Sequence, residues 1–248
     1  MTMTIQQVAG KVEAYGRSEG KGDGINVDAF VCYPERRFFA VADGVGRKKS
    51  GAVAAEVAVE TMRHYVAEVV ASMPEDADLV ALFAEGIEKV NDVIYAMTAN
   101  TKNKVATTLC SIYFAGGKAC YAHVGDSRIY RCRGGAFEQI TRDHSLHNKL
   151  VESGALDTGR SGVSFDNVIT RAVGALAEVD PDVALADAEE GDIYLLCSDG
   201  TSDNISNDVM HHIIAKGGTA EATVDALVAA AKASGGDDDI TAMVVRYG

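Results

Sequence analysis

No stretch of this chain approaches the roughly 18 consecutive apolar residues that a membrane-spanning helix needs, and no Pro-, Ser- or Gly-rich linker divides it. A transmembrane protein and a string of small domains are both disfavoured. Basic residues are in short supply, with 23 Lys and Arg against 36 Asp and Glu and a formal net charge of −13. That balance argues against binding nucleic acid or an anionic membrane through a general field. The five cysteines, Cys32, Cys110, Cys120, Cys132 and Cys197, are odd in number, lie mostly in apolar runs and include no C-x-x-C pair. Buried free thiols are expected, not a disulfide frame or a zinc cluster. The first residues, Met1-Thr2-Met3-Thr4-Ile5-Gln6-Gln7, lack the basic and apolar regions of a signal peptide, so the expected location is cytoplasmic.

What is present is the material of a folded protein: 47% hydrophobic and 24% charged residues in a chain of 248. A single domain over 1–248 is the expectation. Strand patterns run over Val12 to Gly16, Val27 to Tyr33 and Arg37 to Ala42, with Pro34-Glu35-Arg36 turning the last two into a hairpin. Helical spacing follows over Gly51 to Val70, and again from Pro74 to about Asn100. Between Thr108 and Ile140 the spacing changes to strand and turn, with Gly116-Gly117 and Gly134-Gly135 as hairpin connections. A short helix at Leu146 to Glu152 precedes a Gly- and Ser-rich loop, taken as an exposed flap over 154–166. Further strands are expected near Val183 to Ala186, Ile193 to Ser198 and Ile240 to Arg246, with helices near Asn207 to Ala215 and Ala220 to Ala233. Hairpins and paired helices together imply an α+β fold: a four-layer α-β-β-α sandwich, two stacked and mainly antiparallel sheets flanked by helix pairs.

Four aspartates end apolar runs or sit beside glycine in turns: Asp28, Asp43, Asp199 and Asp238. Acids fixed at the ends of buried strands repel one another unless a cation lies between them, so the pattern points to a metal site. Asp43-Gly44 follows Phe38-Phe39-Ala40-Val41-Ala42, and Asp199-Gly200 follows Ile193-Tyr194-Leu195-Leu196-Cys197-Ser198. A lone Asp-Gly pair is usually a turn, but two such strand-Asp-Gly units are harder to dismiss.

The ordered set Asn26-Val27-Asp28, Val41-Ala42-Asp43-Gly44, Ala106-Thr107-Thr108, His123-Val124-Gly125-Asp126-Ser127-Arg128, Thr141-Arg142-Asp143-His144-Ser145, Cys197-Ser198-Asp199-Gly200 and Asp238-Asp239-Ile240-Thr241 resembles the metal-dependent serine/threonine protein phosphatases of type 2C, in their compact bacterial form. The resemblance runs from about Gly10 to Tyr247. It implies hydrolysis of phosphoserine and phosphothreonine in proteins by water activated at a binuclear Mg²⁺ or Mn²⁺ centre. It also implies roles for the acids. Asp43 would bridge both ions, the Gly44 carbonyl would bind one, Asp199 and Asp238 the other, and Asp28 would act through metal-bound waters. Asp126 matches a position that helps bind a third metal in several bacterial members, with Asp203 joining it. The implied partners are phosphorylated proteins and an opposing Ser/Thr kinase, for a chain expected to be a monomer.

Two departures touch this site. The family's opening motif carries Arg, two residues, then Asn-Glu-Asp; here Asp23 stands at the place of the phosphate-binding Arg and Val27 at that of the Glu. The Glu normally holds a water on a metal, a contact whose loss costs roughly tenfold to a hundredfold. Arg17 and Arg47 are the leading candidates to take over the phosphate, with Lys21, Lys48 and Lys49 also near; the triplet Arg47-Lys48-Lys49 itself replaces the usual Gly-Gly-His. These departures leave open a regulatory pseudophosphatase that binds phosphoproteins, and a phosphatase of small metabolites. His123 is expected to pack in the core and His144 to order the turn after the meander, while His64, His211 and His212 fall on helix surfaces.

Overall fold

A computed structural model describes residues 2–9, 12–22, 24–98, 105–156 and 168–248. In chain order its elements are β1 (Thr2–Ala9), β2 (Val12–Glu19), β3 (Asp28–Tyr33), β4 (Phe38–Val45), α1 (Lys48–Glu68), α2 (Leu79–Thr98), β5 (Ala106–Thr107), β6 (Leu109–Ala115), β7 (Lys118–Val124), β8 (Arg128–Arg133), β9 (Ala136–Gln139), α3 (Leu146–Glu152), β10 (Asp182–Asp187), β11 (Ile193–Cys197), α4 (Asp199–Ser202), α5 (Asn207–Ala215), α6 (Ala220–Ala233) and β12 (Ile240–Tyr247). One sheet has the order β1-β2-β12-β11-β8-β9; the other has β10-β7-β6-β4-β3, with β5 paired to β4. Every strand pair is antiparallel.

Three apolar cores separate four layers. Phe39, Val41, Ile112 and Phe114 of one sheet meet Ile129, Tyr194, Leu196 and Met243 of the other between the sheets. Helices α1 and α2 cover the outer face of the second sheet through Met62, Val66, Phe83 and Ile87 against Phe38, Leu109 and Val124. Helices α5 and α6 cover the first sheet through Met210, Ile214, Val224 and Leu227 against Tyr130, Leu195 and Val244. This is the α-β-β-α sandwich expected from the pattern of hairpins and helix pairs. The two Gly-Gly turns close their hairpins with positive φ at both residues, 54° and 74° at Gly116-Gly117 and 56° and 83° at Gly134-Gly135. That is the twist a two-residue hairpin loop requires.

The boundaries differ from expectation where capping decides them. Helix α1 starts in the basic triplet, because the Arg47 carbonyl already accepts the Ser50 and Gly51 amides. Helix α2 starts at Leu79, not Pro74, since Pro74 to Ala77 is a turn and the Asp78 carboxylate accepts the Ala81 amide at 3.1 Å. Strand β1 was not anticipated; it pairs with β2 from Thr2↔Glu19 to Ala9↔Val12. Of the expected flap, 154–156 finish the turn after α3, where the Ala155 and Leu156 amides share the Leu150 carbonyl. Residues 157–166 of it lie outside the described residues, as does the expected end of α2 near Asn100. All five cysteines are free and buried. Among the described residues no helix is long and apolar enough to cross a membrane.

Asn91 ties helix α2 to the segment 174–177: its Oδ1 accepts the Gly174 amide at 2.7 Å, and its Nδ2 donates to the Leu176 and Ala177 carbonyls at 3.2 Å each. The side chain is buried, so its loss strands polar backbone groups. Asn91→Ala is expected to cost about 1–3 kcal/mol in urea denaturation. A loss under about 0.5 kcal/mol would show that the tie is dispensable.

Candidate metal centre

The site lies at one end of the core between the two sheets, and strand alternation puts it there. On β3, Phe30 and Cys32 face the other sheet, and Asp28 has the same parity; on β4, Phe39 and Val41 do so, and Asp43 follows them. The same step continues Ile112 and Cys110 to Thr108, Tyr194 and Leu196 to Ser198, Met243 to Thr241 and Asp239, and Ala14 to Ser18. Each inward stripe changes from apolar to polar at this end. Asp28 and Asp43 are direct cross-strand partners, and Asp199 and Asp238 arrive from the facing sheet's loops.

Short bonds fix the acids. The Thr108 Oγ1 accepts the Asp43 amide at 2.9 Å, while the Thr107 hydroxyl and the Thr108 amide both donate to the Asp43 carbonyl at 2.8 Å. Oδ2 of Asp28 lies 2.6 Å from Thr241 Oγ1 and 2.7 Å from Ser198 Oγ. Both hydroxyls fall on that oxygen. Asp239 is committed to the backbone: Oδ1 accepts the Lys21 amide at 2.6 Å and Oδ2 the Val27 amide at 2.7 Å. Of the triplet Asp237-Asp238-Asp239, Asp237 is therefore the solvated residue, at 94% side-chain exposure, and Asp239 the structural one. Gly200 lets this happen, because a Cβ there would sit 1.9 Å from the Asp239 carbonyl oxygen.

The electrostatics follow from burial and mutual repulsion. Burial pushes Asp28 up to about 8 against the hydroxyl bonds it accepts, with Asp199 and Asp239 adding to the rise. Asp43 is driven well above the usual carboxylate range by burial, then by Asp28, Asp199 and Asp238. Asp199 is raised by burial and by Asp238, and Asp126 reaches about 7 by burial and then by Asp199 and Asp143. Asp43, Asp126, Asp199, Asp237, Asp238 and Asp239 line a cavity of about 360 Å³ together with Lys21, Val27, Gly44, Val45, Gly46, Thr108 and Ile169. Oδ1 of Asp199 is buried with no hydrogen-bond partner. An orphan carboxylate oxygen among repelling carboxylates fits a hard divalent cation, which accepts oxygen donors only.

Several sequence-predicted residues fall elsewhere. Arg17 is a correction: it shares its parity with Tyr15, so it faces helix α6, where it pairs with Asp225 at 2.7 Å and with Glu19. Arg47 stands exposed at the N-cap of α1, off the cavity wall, and Asp23 lies outside the described residues. Val27 does reach the cavity wall. Asp203 sits at the C-cap of α4, 4.0 Å from Arg128, whose guanidinium is held by both oxygens of Asp143. Sequence reasoning named Thr107 and Thr108 without a role. Their clamp on Asp43 depends on β5 pairing with β4, some 60 residues away in sequence, which no local pattern displays.

His123, His144 and Asp182 gather beside this site with ligand atoms within 4.8 Å of one another. They form a hydrogen-bonded knot. The Gly125 amide donates to His144 Nδ1 at 3.1 Å, which places the proton on Nε2, facing Asp182 Oδ2 at 3.3 Å. A cation at Nε2 would compete with that proton and with the positive charge of Arg171, whose Nη1 lies 3.2 Å from Nε2. The rings of His123 and His144 stack at 4.6 Å, as packed and turn-ordering residues do.

A sandwich that gathers carboxylates from both sheets at one rim is built around divalent cations. The particular family follows from comparison: the profile of Protein phosphatase 2C matches residues 15–217, and the chain belongs to that family. Protein phosphatase PhpP of Streptococcus pneumoniae is 32% identical over 221 residues, covering 88% of this chain and 89% of that one. The crystal structure of the Mycobacterium tuberculosis serine/threonine phosphatase PstP/Ppp matches with a TM-score of 0.84 at 29% identity, over 95% of this chain and 98% of that one. The catalytic domain of PstP in complex with two manganese ions matches with a TM-score of 0.81 at 30% identity, over 95% and 97%.

A pH dependence follows. Carboxyls raised in the fold bind more protons folded than unfolded, so metal-free protein loses stability as pH rises from about 4 through about 8. Mn²⁺ about a hundredfold above its Kd should raise Tm by roughly 5–10 °C, and by more at pH 8 than at pH 5.5. Asp43→Asn should erase the Mn²⁺ shift. A Tm indifferent to Mn²⁺ at both pH values, read by differential scanning fluorimetry, would contradict the assignment.

Proposed function

We propose that this chain is a protein phosphatase that hydrolyses phosphoserine and phosphothreonine in proteins at a binuclear Mg²⁺ or Mn²⁺ centre. The observation that carries the reading is the buried, unpartnered Asp199 Oδ1 beside raised carboxyls drawn from both sheets. Asp43, the Gly44 carbonyl, Asp199 and Asp238 would hold the two ions, and Asp126 with Asp203 a third. When bound, such ions lower the pKa of a water and offset phosphate charge. The chain's own part is positional. Thr107 and Thr108 fix the Asp43 backbone, while Ser198 and Thr241 hold Asp28 by one oxygen and leave the other to orient a water and take its proton.

Val27 in place of Glu removes one such water contact, which lowers efficiency without removing a ligand. That loss alone does not make a regulatory pseudophosphatase, because every carboxylate assigned to the ions is still present. The activity is assigned to one catalytic domain over 1–248, working as a cytoplasmic monomer on phosphoproteins against a Ser/Thr kinase. The relatives named as serine/threonine phosphatases support the substrate class.

Phosphate release from a phosphothreonine peptide tests this directly. Purified protein should turn over with Mn²⁺ or Mg²⁺ and stop with chelator. Asp43→Asn should lower kcat by more than about a hundredfold, beyond what loss of an outer hydrogen-bond partner costs. Metal binding without any turnover of the wild-type chain would move the reading to the regulatory module.

A further inference from the structure

The cavity wall holds six acids, Asp43, Asp126, Asp199, Asp237, Asp238 and Asp239, and among the described residues one base, Lys21. A substrate phosphate entering here meets charge of its own sign everywhere except at the bound cations and at this ammonium. Position 23, where the resemblance places a guanidinium, carries Asp. Arg17 is held on the far side of its sheet by Asp225 and Glu19, and Arg47 stands off the wall.

Lys21 is built into place. Asp239, 6% exposed, bonds the Lys21 amide through one oxygen and the Val27 amide through the other, so a single buried carboxylate staples both ends of the 21–27 loop to the head of β12. The backbone of Lys21 is thus fixed on the rim while its side chain stays free to move. Its ammonium rests on Asp237, donating to the carbonyl at 2.7 Å and lying 2.8 Å from Oδ1. The Asp237 side chain is 94% exposed and that of Lys21 45%, so this ion pair is weak and easily exchanged. A phosphate dianion offers more charge and more acceptor oxygens than Asp237 does.

We propose that Lys21 is the group that takes the substrate phosphate in this chain, parked on Asp237 until phosphate displaces that carboxylate. The proposal rests on the phosphatase reading. It moves the anchoring cation two residues along the loop and changes its chemistry. Lysine is a point charge on a flexible stem, without the fork that guanidinium presents to two phosphate oxygens. The phosphate is therefore held by charge more than by geometry, and binding falls steeply with salt.

The test uses the Mn²⁺-loaded full chain, a phosphothreonine peptide and inorganic phosphate. Lys21→Met keeps the backbone amide that Asp239 holds, and an unchanged Tm and Mn²⁺ shift would certify the fold. It should raise the peptide KM and the calorimetric Kd of inorganic phosphate by about tenfold, the loss of one charged hydrogen bond, with kcat within about threefold. Lys21→Arg should restore both constants. Asp237→Asn should lower them by about twofold, because the ammonium loses the opposite charge and keeps only the backbone carbonyl of residue 237. Unchanged constants in Lys21→Met, or a rise that Lys21→Arg does not reverse, would overturn the proposal. A wild-type chain without turnover would sink the phosphatase reading, and the phosphate Kd would still decide the role of Lys21.

Discussion

Repulsion among buried carboxylates is the constraint on which the rest of this structure depends. Asp28, Asp43 and Asp199 sit at the rim of an apolar core, where burial raises all three, Asp28 and Asp199 add to the rise at Asp43, and Asp199 adds to that at Asp28. Such a cluster does not assemble by its own preference. It is imposed by backbone bonds that have nothing to do with the acids' charge: Thr107 and Thr108 on Asp43, Asp239 on the 21–27 loop, and the sheet register that sets Asp28 opposite Asp43. Two glycines allow the close approaches. A Cβ on Gly44 would lie 2.2 Å from the Gly51 carbonyl of α1, and one on Gly200 would strike the Asp239 carbonyl. Energy spent on holding like charges together marks a functional site, and here it is offset when divalent cations enter.

Much of this was legible because it is local. Helices α3, α5 and α6 end at their expected residues, where Ser145, Ser206 and Thr219 cap them and the apolar spacing is clean. The Gly-Gly pairs marked their hairpins, and the Asp-Gly units marked the rim. What escaped was the face on which a residue of a doubly buried strand points. Strand β2 is packed on both sides, so its sequence shows no alternation, and Arg17 looked as near to the site as Ser18. Counting forward in twos from Val12 and Ala14, which face the other sheet, places Ser18 at the site and Arg17 behind it. Asp239 was similarly hidden among three adjacent acids. Its parity with Thr241 and Met243 is the signal that separates it from Asp238.

The charge pattern also has a consequence for substrates. A chain of net charge −13, whose cavity wall carries six acids, disfavours a phosphorylated substrate until cations are in place. Affinity for substrate is therefore linked to metal occupancy before any chemistry begins. The family's usual guanidinium would soften that dependence, and its absence here makes the cations and one lysine carry the attraction.

The central claim is that these buried carboxyls hold protons when metal-free and exchange them for two or three divalent cations. Calorimetric titration of the metal-free chain with Mn²⁺, repeated in buffers of different ionisation enthalpy, measures ions bound and protons released together. The account predicts at least two Mn²⁺ per chain, with protons released at pH 7 and fewer at pH 9, where Asp28 and Asp126 are mostly ionised. Binding without proton release at pH 7, or no binding at all, would contradict it.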